Sequence, residues 1–112
     1  MSHETSARNN YRSGFNCAQS VFTAFAEEIG LPPAEAMQAA PAPRSEGGKC
    51  GAYLAGAALL AQLRPEAAAA FRERFLEENG AVECGKLRKM GKPCSDLVGS
   101  AARLTKELSE KE

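Results

Sequence analysis

The sequence predicts an all-α fold: a compact array of five or six short helices in a single domain over residues 1–112. Three observations predict it. Strand formers are scarce, with three Val, one Ile, three Thr, two Tyr and no Trp. Alanine supplies 21 of the apolar residues, which leaves 24 larger apolar side chains and four cysteines for the interior. Alanine is the best helix former and lets helices approach closely. Finally, glycines and prolines punctuate the chain at intervals that suit short helices.

The elements follow in order. A polar segment from Glu4 to Arg12 reads as a short helix interrupted at Gly14. Asn16 is a good N-cap, and Ala18, Val21, Phe22, Phe25 and Ile29 follow at helical spacing until Gly30 and the Pro32-Pro33 pair. A short helix is expected from Ala34 to Ala39, then a loop through Pro41, Pro43 and Gly47-Gly48. The stretch from about Cys50 to Leu63 is apolar on nearly every face and reads as the central helix. Ala52, Gly56 and Leu60 lie on one side of it, small enough at two positions for a neighbouring backbone to come close. Pro65 opens a helix that Gly80 stops, anchored by Phe71 and Phe75. A shorter one covers Glu83 to Lys89, and the last runs from Cys94 to Leu108 with Leu97, Val98, Ala101, Leu104 and Leu108 as one stripe. Residues 1–5 and 109–112 are expected to be mobile.

Charge and hydropathy exclude several classes. Equal numbers of acidic and basic residues, 14 each, argue against a dedicated nucleic-acid binder. The longest run without a strongly polar residue, Cys50 to Ala61, is shorter than the roughly 18 residues of a membrane span. The opening Met-Ser-His-Glu-Thr-Ser lacks the layout of a signal peptide, so the expected location is cytoplasmic. Familiar hydrolytic and nucleotide-binding sites are absent. Gly47-Gly48 lacks the rest of a phosphate-binding loop, and His3 alone cannot supply a Ser/His/Asp set. Glu46, close to Cys50, is the carboxylate best placed to assist a proton transfer.

The informative residues are Cys17, Cys50, Cys84 and Cys94. Each falls at or near an expected helix start. Backbone N–H groups there are unpaired and the helix dipole favours negative charge, so thiolate is favoured at all four. Lys49, Lys86, Arg88, Lys89 and Lys92 add positive charge near them. The intervening segments are 32, 33 and 9 residues long, so no two cysteines form the local pair of a standard zinc module, and there is no Cys-x-x-Cys. A site must be assembled by packing helix starts together. That arrangement suits an iron–sulfur cluster held by the four thiolates, or redox-labile disulfides. Cys84 and Cys94 are the preferred disulfide-forming and catalytic pair, because they are closest in sequence and Gly91 and Pro93 permit a chain reversal.

These residues also carry a resemblance. Gly14, Phe15 and the run Asn16, Cys17, Ala18 and Gln19 stand before an amphipathic helix. Gly47, Gly48, Lys49, Cys50, Gly51 and Ala52 form a glycine-rich Cys-Gly-Ala element, and Cys84 and Cys94 follow. This order resembles the family of small four-cysteine proteins named for the pattern C-GCAxxG-C-C, whose redox activity is inferred from its cysteines. One departure is visible: Ala55 occupies the place of the family's second glycine, and Gly56 follows it. The resemblance implies roles for the four cysteines, and no substrate.

Three functions remain open on the sequence. One is a redox protein using the cysteines with a redox partner protein, through a cluster or a disulfide. Another is a structural zinc domain held by the same four residues. The last is a helical interaction module or homodimer with inert cysteines, suggested by Ala67 to Ala70 and the apolar central helix.

Overall fold

The structure is a computed structural model that describes residues 2–110. It is mostly helical, and the only strand-like pairing among these residues is an isolated antiparallel bridge between Lys49 and Glu83. The helices are α1 (His3–Arg12), α2 (Cys17–Ala24), α3 (Pro33–Ala39), the single turn α4 (Ser45–Gly48), α5 (Gly51–Leu63), α6 (Ala68–Asn79), α7 (Cys84–Lys89) and α8 (Cys94–Glu110), with a 3-10 turn over Pro65–Ala67 leading into α6.

That makes eight helices among the described residues, where five or six were expected. The difference arises at short segments. The Gly47-Gly48 loop winds into one turn with left-handed backbone at Glu46, Gly47 and Gly48. The helix opened by Asn16 also ends earlier than its apolar spacing implied. After Ala24 the N–H groups of Phe25 and Ala26 bond carbonyls three residues back, tightening the chain into turns that run to Gly30. Phe25 is buried there, with its ring stacked on His3 of α1 at 4.3 Å. Periodicity registers that Phe25 and Ile29 face inward, but tight turns can bury them as well as a helix can.

Local signals explain the helix starts. The Asn16 side chain accepts from the Gln19 N–H at 2.7 Å, and the Gln19 side chain accepts from the Asn16 N–H at 3.1 Å, a complete capping box. Gly80, at φ +94°, closes α6 in the left-handed conformation that suits glycine. α8 carries its predicted stripe inward: Leu97, Val98, Ala101, Leu104 and Leu108 are all buried. It is helical as far as Glu110, and of the termini expected to be mobile, Met1, Lys111 and Glu112 lie outside the described residues.

α5 is central. It packs against α2, α6 and α8, while α1 lies across α2 and α8. An added Cβ on Gly56 would fall 2.4 Å from the Phe71 ring and 2.7 Å from Thr105 Oγ1. The glycine therefore admits α6 and α8 together, and Tyr53, Phe71 and Phe75 stack beside it at centroid distances of 5.3–6.1 Å. Among the described residues no helix is long and apolar enough to cross a membrane.

Candidate functional site

Each cysteine stands at a helix start. Cys17, Cys84 and Cys94 are the first residues of α2, α7 and α8, and Cys50 is the N-cap of α5. Packing α2 on α5 and α8 brings three of these starts to one end of the molecule. The fourth is tied in by backbone: the Cys50 N–H donates to the Val82 carbonyl at 2.7 Å, beside the Lys49–Glu83 bridge. That link fixes the chain just before Cys84 against the start of α5. All four cysteines, all free thiols, line one cavity of about 240 Å³.

Gly51 explains how Cys17 enters. A Cβ built on Gly51 would lie 2.5 Å from the Cys17 Sγ, 3.1 Å from the Pro43 Cβ and 3.2 Å from the Ala18 nitrogen. Any side chain at that position would occupy the space now held by the sulfur. The Cys17 sulfur thus sits between two helix starts, bonded by the N–H groups of Ala18 in α2 and of Gly51 and Ala52 in α5.

Electrostatics separates the thiols. Burial pushes the Cys17 thiol up, and the nearby Cys94 pushes it further, against the lowering effect of those three N–H groups. Cys50, only 4% exposed, is pushed up to about 11, chiefly by burial, with Cys17 and Cys84 adding to it and the N–H groups of Tyr53 and Ala52 opposing it. The expectation that helix starts favour thiolate at every cysteine is therefore corrected at these two. The amides act in the expected direction, but desolvation of a buried anion outweighs them. Cys17, Cys84 and Cys94 are half-buried, and of the four only Cys50 is fully buried. The neighbour relations run from Cys94 to Cys17, from Cys17 to Cys50, and from Cys50 to Cys84.

Several lining residues have roles the sequence did not reveal. The Tyr11 hydroxyl of α1 is a hydrogen-bond partner of Cys94, and that contact, followed by the closeness of Cys94 itself and by burial, raises the phenol above its usual range. Arg88 faces it and acts the other way. Arg44 reaches the cavity from the loop before α4, and Lys92 from the loop before α8. A signal for Tyr11 existed only in retrospect: it lies six residues before Cys17, on the helix that precedes α2. Glu46, the carboxylate considered for proton transfer, lines a separate hollow with Lys49 and Tyr53. His3 is likewise elsewhere, paired with Glu28 and stacked on Phe25. Among the described residues no group of three or more His, Cys, Asp or Glu side chains is set to hold a metal ion as it stands.

A helical chain with four free thiols gathered at helix starts round one cavity defines a class, that of small four-cysteine helical proteins. The chain belongs to the family described as "Putative redox-active protein (C_GCAxxG_C_C)", whose pattern matches residues 15–108. No curated relative and no solved structure matches it.

Proposed function

We propose that this chain is a two-electron redox protein that works by thiol–disulfide exchange, with the four cysteines acting as one unit. The observation that supports this most is their convergence on one cavity, with Cys50 buried and the other three half-buried. Cys84 and Cys94 are the outer, attacking thiols, and Cys17 and Cys50 are the inner thiols that resolve what the outer ones form. Cys94 attacks a disulfide of an oxidised partner, and the departing half leaves as thiolate. Cys17 then displaces the second half and closes a Cys17–Cys94 disulfide. The chain loses two electrons, and the partner's disulfide becomes two thiols. Cys50 and Cys84 form a second neighbouring pair, and the Cys84–Cys94 pairing shares the same cavity. The Tyr11 hydroxyl, hydrogen-bonded to Cys94, orients that sulfur for attack. A reducing compartment such as the cytoplasm would return the thiols to the free state.

Thiol counting tests this. After mild oxidation the chain should lose thiols in twos, and peptide mapping should find disulfides within the set of four. Cys17→Ser and Cys94→Ser should each abolish the same one. Four thiols that persist through oxidation would refute the reading.

A second reading rests on the cavity itself. Four thiols with backbone N–H groups beside the inner two form the donor set of a thiolate-held iron–sulfur cluster, and a cluster distributes its ligands over several irons rather than one. Cys17, Cys50, Cys84 and Cys94 would hold it, and it would supply one-electron transfer. Anaerobic purification with iron, sulfide and zinc counts decides: iron and sulfide with visible absorbance favour the cluster, and one zinc without iron favours a structural site.

A further inference from the structure

The cavity that gathers the thiols is lined by charge of one sign only. Its lining contains Arg44, Arg88 and Lys92 and no carboxylate. Other cations are ion-paired, Arg8 with Glu4 and Asp96, Arg74 with Glu107, Arg103 with Glu78 and Lys106 with Glu110, while Arg12, Lys49, Arg72 and Lys89 have no ion pair among the described residues; what distinguishes Arg44, Arg88 and Lys92 is that they share one cavity. None of the three lining cations has a carboxylate partner among the described residues. Of the acids near the site in sequence, Glu83 lies beside Lys86 at 3.9 Å, Asp96 points towards Arg8 at 3.5 Å, and Glu46 lines the separate hollow with Lys49 and Tyr53. Arg44 is moreover held in left-handed backbone, φ +64°, with its N–H on the Lys49 carbonyl at 3.0 Å. Arginine rarely adopts that conformation, and such residues concentrate at functional sites.

We infer that the mouth of this cavity receives a small disulfide bearing carboxylates, its anionic end held by Arg44, Arg88 and Lys92 while its sulfurs meet the outer thiols. The inference rests on the thiol-exchange reading and names its substrate class. Size supports a small molecule entering by one end. At about 240 Å³ the cavity is smaller than the roughly 300–1,000 Å³ that engulfs a drug-sized ligand. Apolar walls from Pro43, Leu87 and Leu97 strengthen the attraction of the cations for an anion. The reaction balances: an outer thiolate attacks one sulfur, the S–S bond breaks, and the other half leaves as thiolate. An inner thiol then displaces the bound half, so that two cysteines are oxidised and one disulfide yields two thiols.

Three disulfides of similar size test this: dithiodiglycolate, which is dianionic, hydroxyethyl disulfide, which is neutral, and cystamine, which is dicationic. Each rate with the reduced full chain is divided by the rate of the same disulfide with 2-mercaptoethanol. At low ionic strength the anionic disulfide should react about 10-fold or more faster than the cationic one on that scale, with the advantage shrinking in about 0.5 M salt. Its rate should also saturate with concentration. The Arg88→Gln/Lys92→Gln variant should lose most of the preference, read as the ratio of the anionic to the cationic rate, while Lys106→Gln should behave as the parent chain. Equal normalised rates would overturn the inference. A preference without saturation would overturn it too, in favour of steering towards a larger acidic partner. No reaction with any of the three disulfides would instead refute thiol exchange itself, and this inference with it.

Discussion

Gly51 and Gly56 stand on the same helix, and each leaves a gap that a neighbouring helix fills. At Gly56 the filling is carbon: the Phe71 ring and Thr105 enter, with Tyr53 and Phe75 stacked alongside. At Gly51 it is the Cys17 sulfur, with backbone N–H groups directed at it. The difference lies in position along the helix. In mid-helix every N–H is already bonded to a carbonyl four residues back, so only packing is on offer. At the first turn the N–H groups are free, and whatever enters the gap meets donors and a positive dipole end. The same device therefore builds the core at one end of α5 and a reactive site at the other.

The largest test of that contrast is Phe71→Ala. Emptying the space beside Gly56 should cost about 3–5 kcal/mol in denaturant unfolding. In the folded fraction Cys84 and Cys94 should still be labelled before Cys50. A changed order of labelling would mean that the two ends are not separable.

The next effect comes from the sulfur end and from pH. Cys50 has a folded value of about 11 against an ordinary value of 9.0. Below pH 9 the thiol is protonated in both states and its contribution is intact. Between 9 and 11 the unfolded chain ionises and the folded chain does not, so stability falls as pH rises, by on the order of 2–3 kcal/mol in all. The raised Cys17 acts with the same sign. Unfolding measured from pH 8 to 11 should show this decline, and Cys50→Ser should flatten most of it. An unchanged slope in that variant would mean that the buried thiol does not set it.

The smallest effect compares the two glycines directly. Gly51→Ala forces a methyl group against the Cys17 sulfur and should cost about 1–3 kcal/mol. In a Cys17→Ala background part of that cost should disappear, whereas Gly56→Ala should cost the same with or without Cys17. A double-mutant cycle on thermal unfolding reads both, and strict additivity at Gly51 would contradict the packing seen there.

Much of this was legible in the chain because it is local. The Asn16 cap with Gln19 three residues on, the stop at Gly80 and the inward stripe of α8 each depend on residues within a few positions of one another. The early end of α2 was not legible, since turns and helix bury Phe25 equally well and the choice lies with what packs there. Tyr11 was hidden for a similar reason. Nothing in its neighbourhood marks a polar tyrosine as the partner of a cysteine 83 positions away.

By itself, then, the sequence determined that the fold is helical and that each of the four cysteines begins a helix, because caps, breakers and 3.6-residue periodicity act over a single turn or two. Only the tertiary structure decided that the four starts share one cavity, that burial outweighs the helix ends at Cys17 and Cys50, and that three cations and no carboxylate line that cavity with the thiols. Those outcomes depend on which helix lies on which, and on how much water is excluded when they meet.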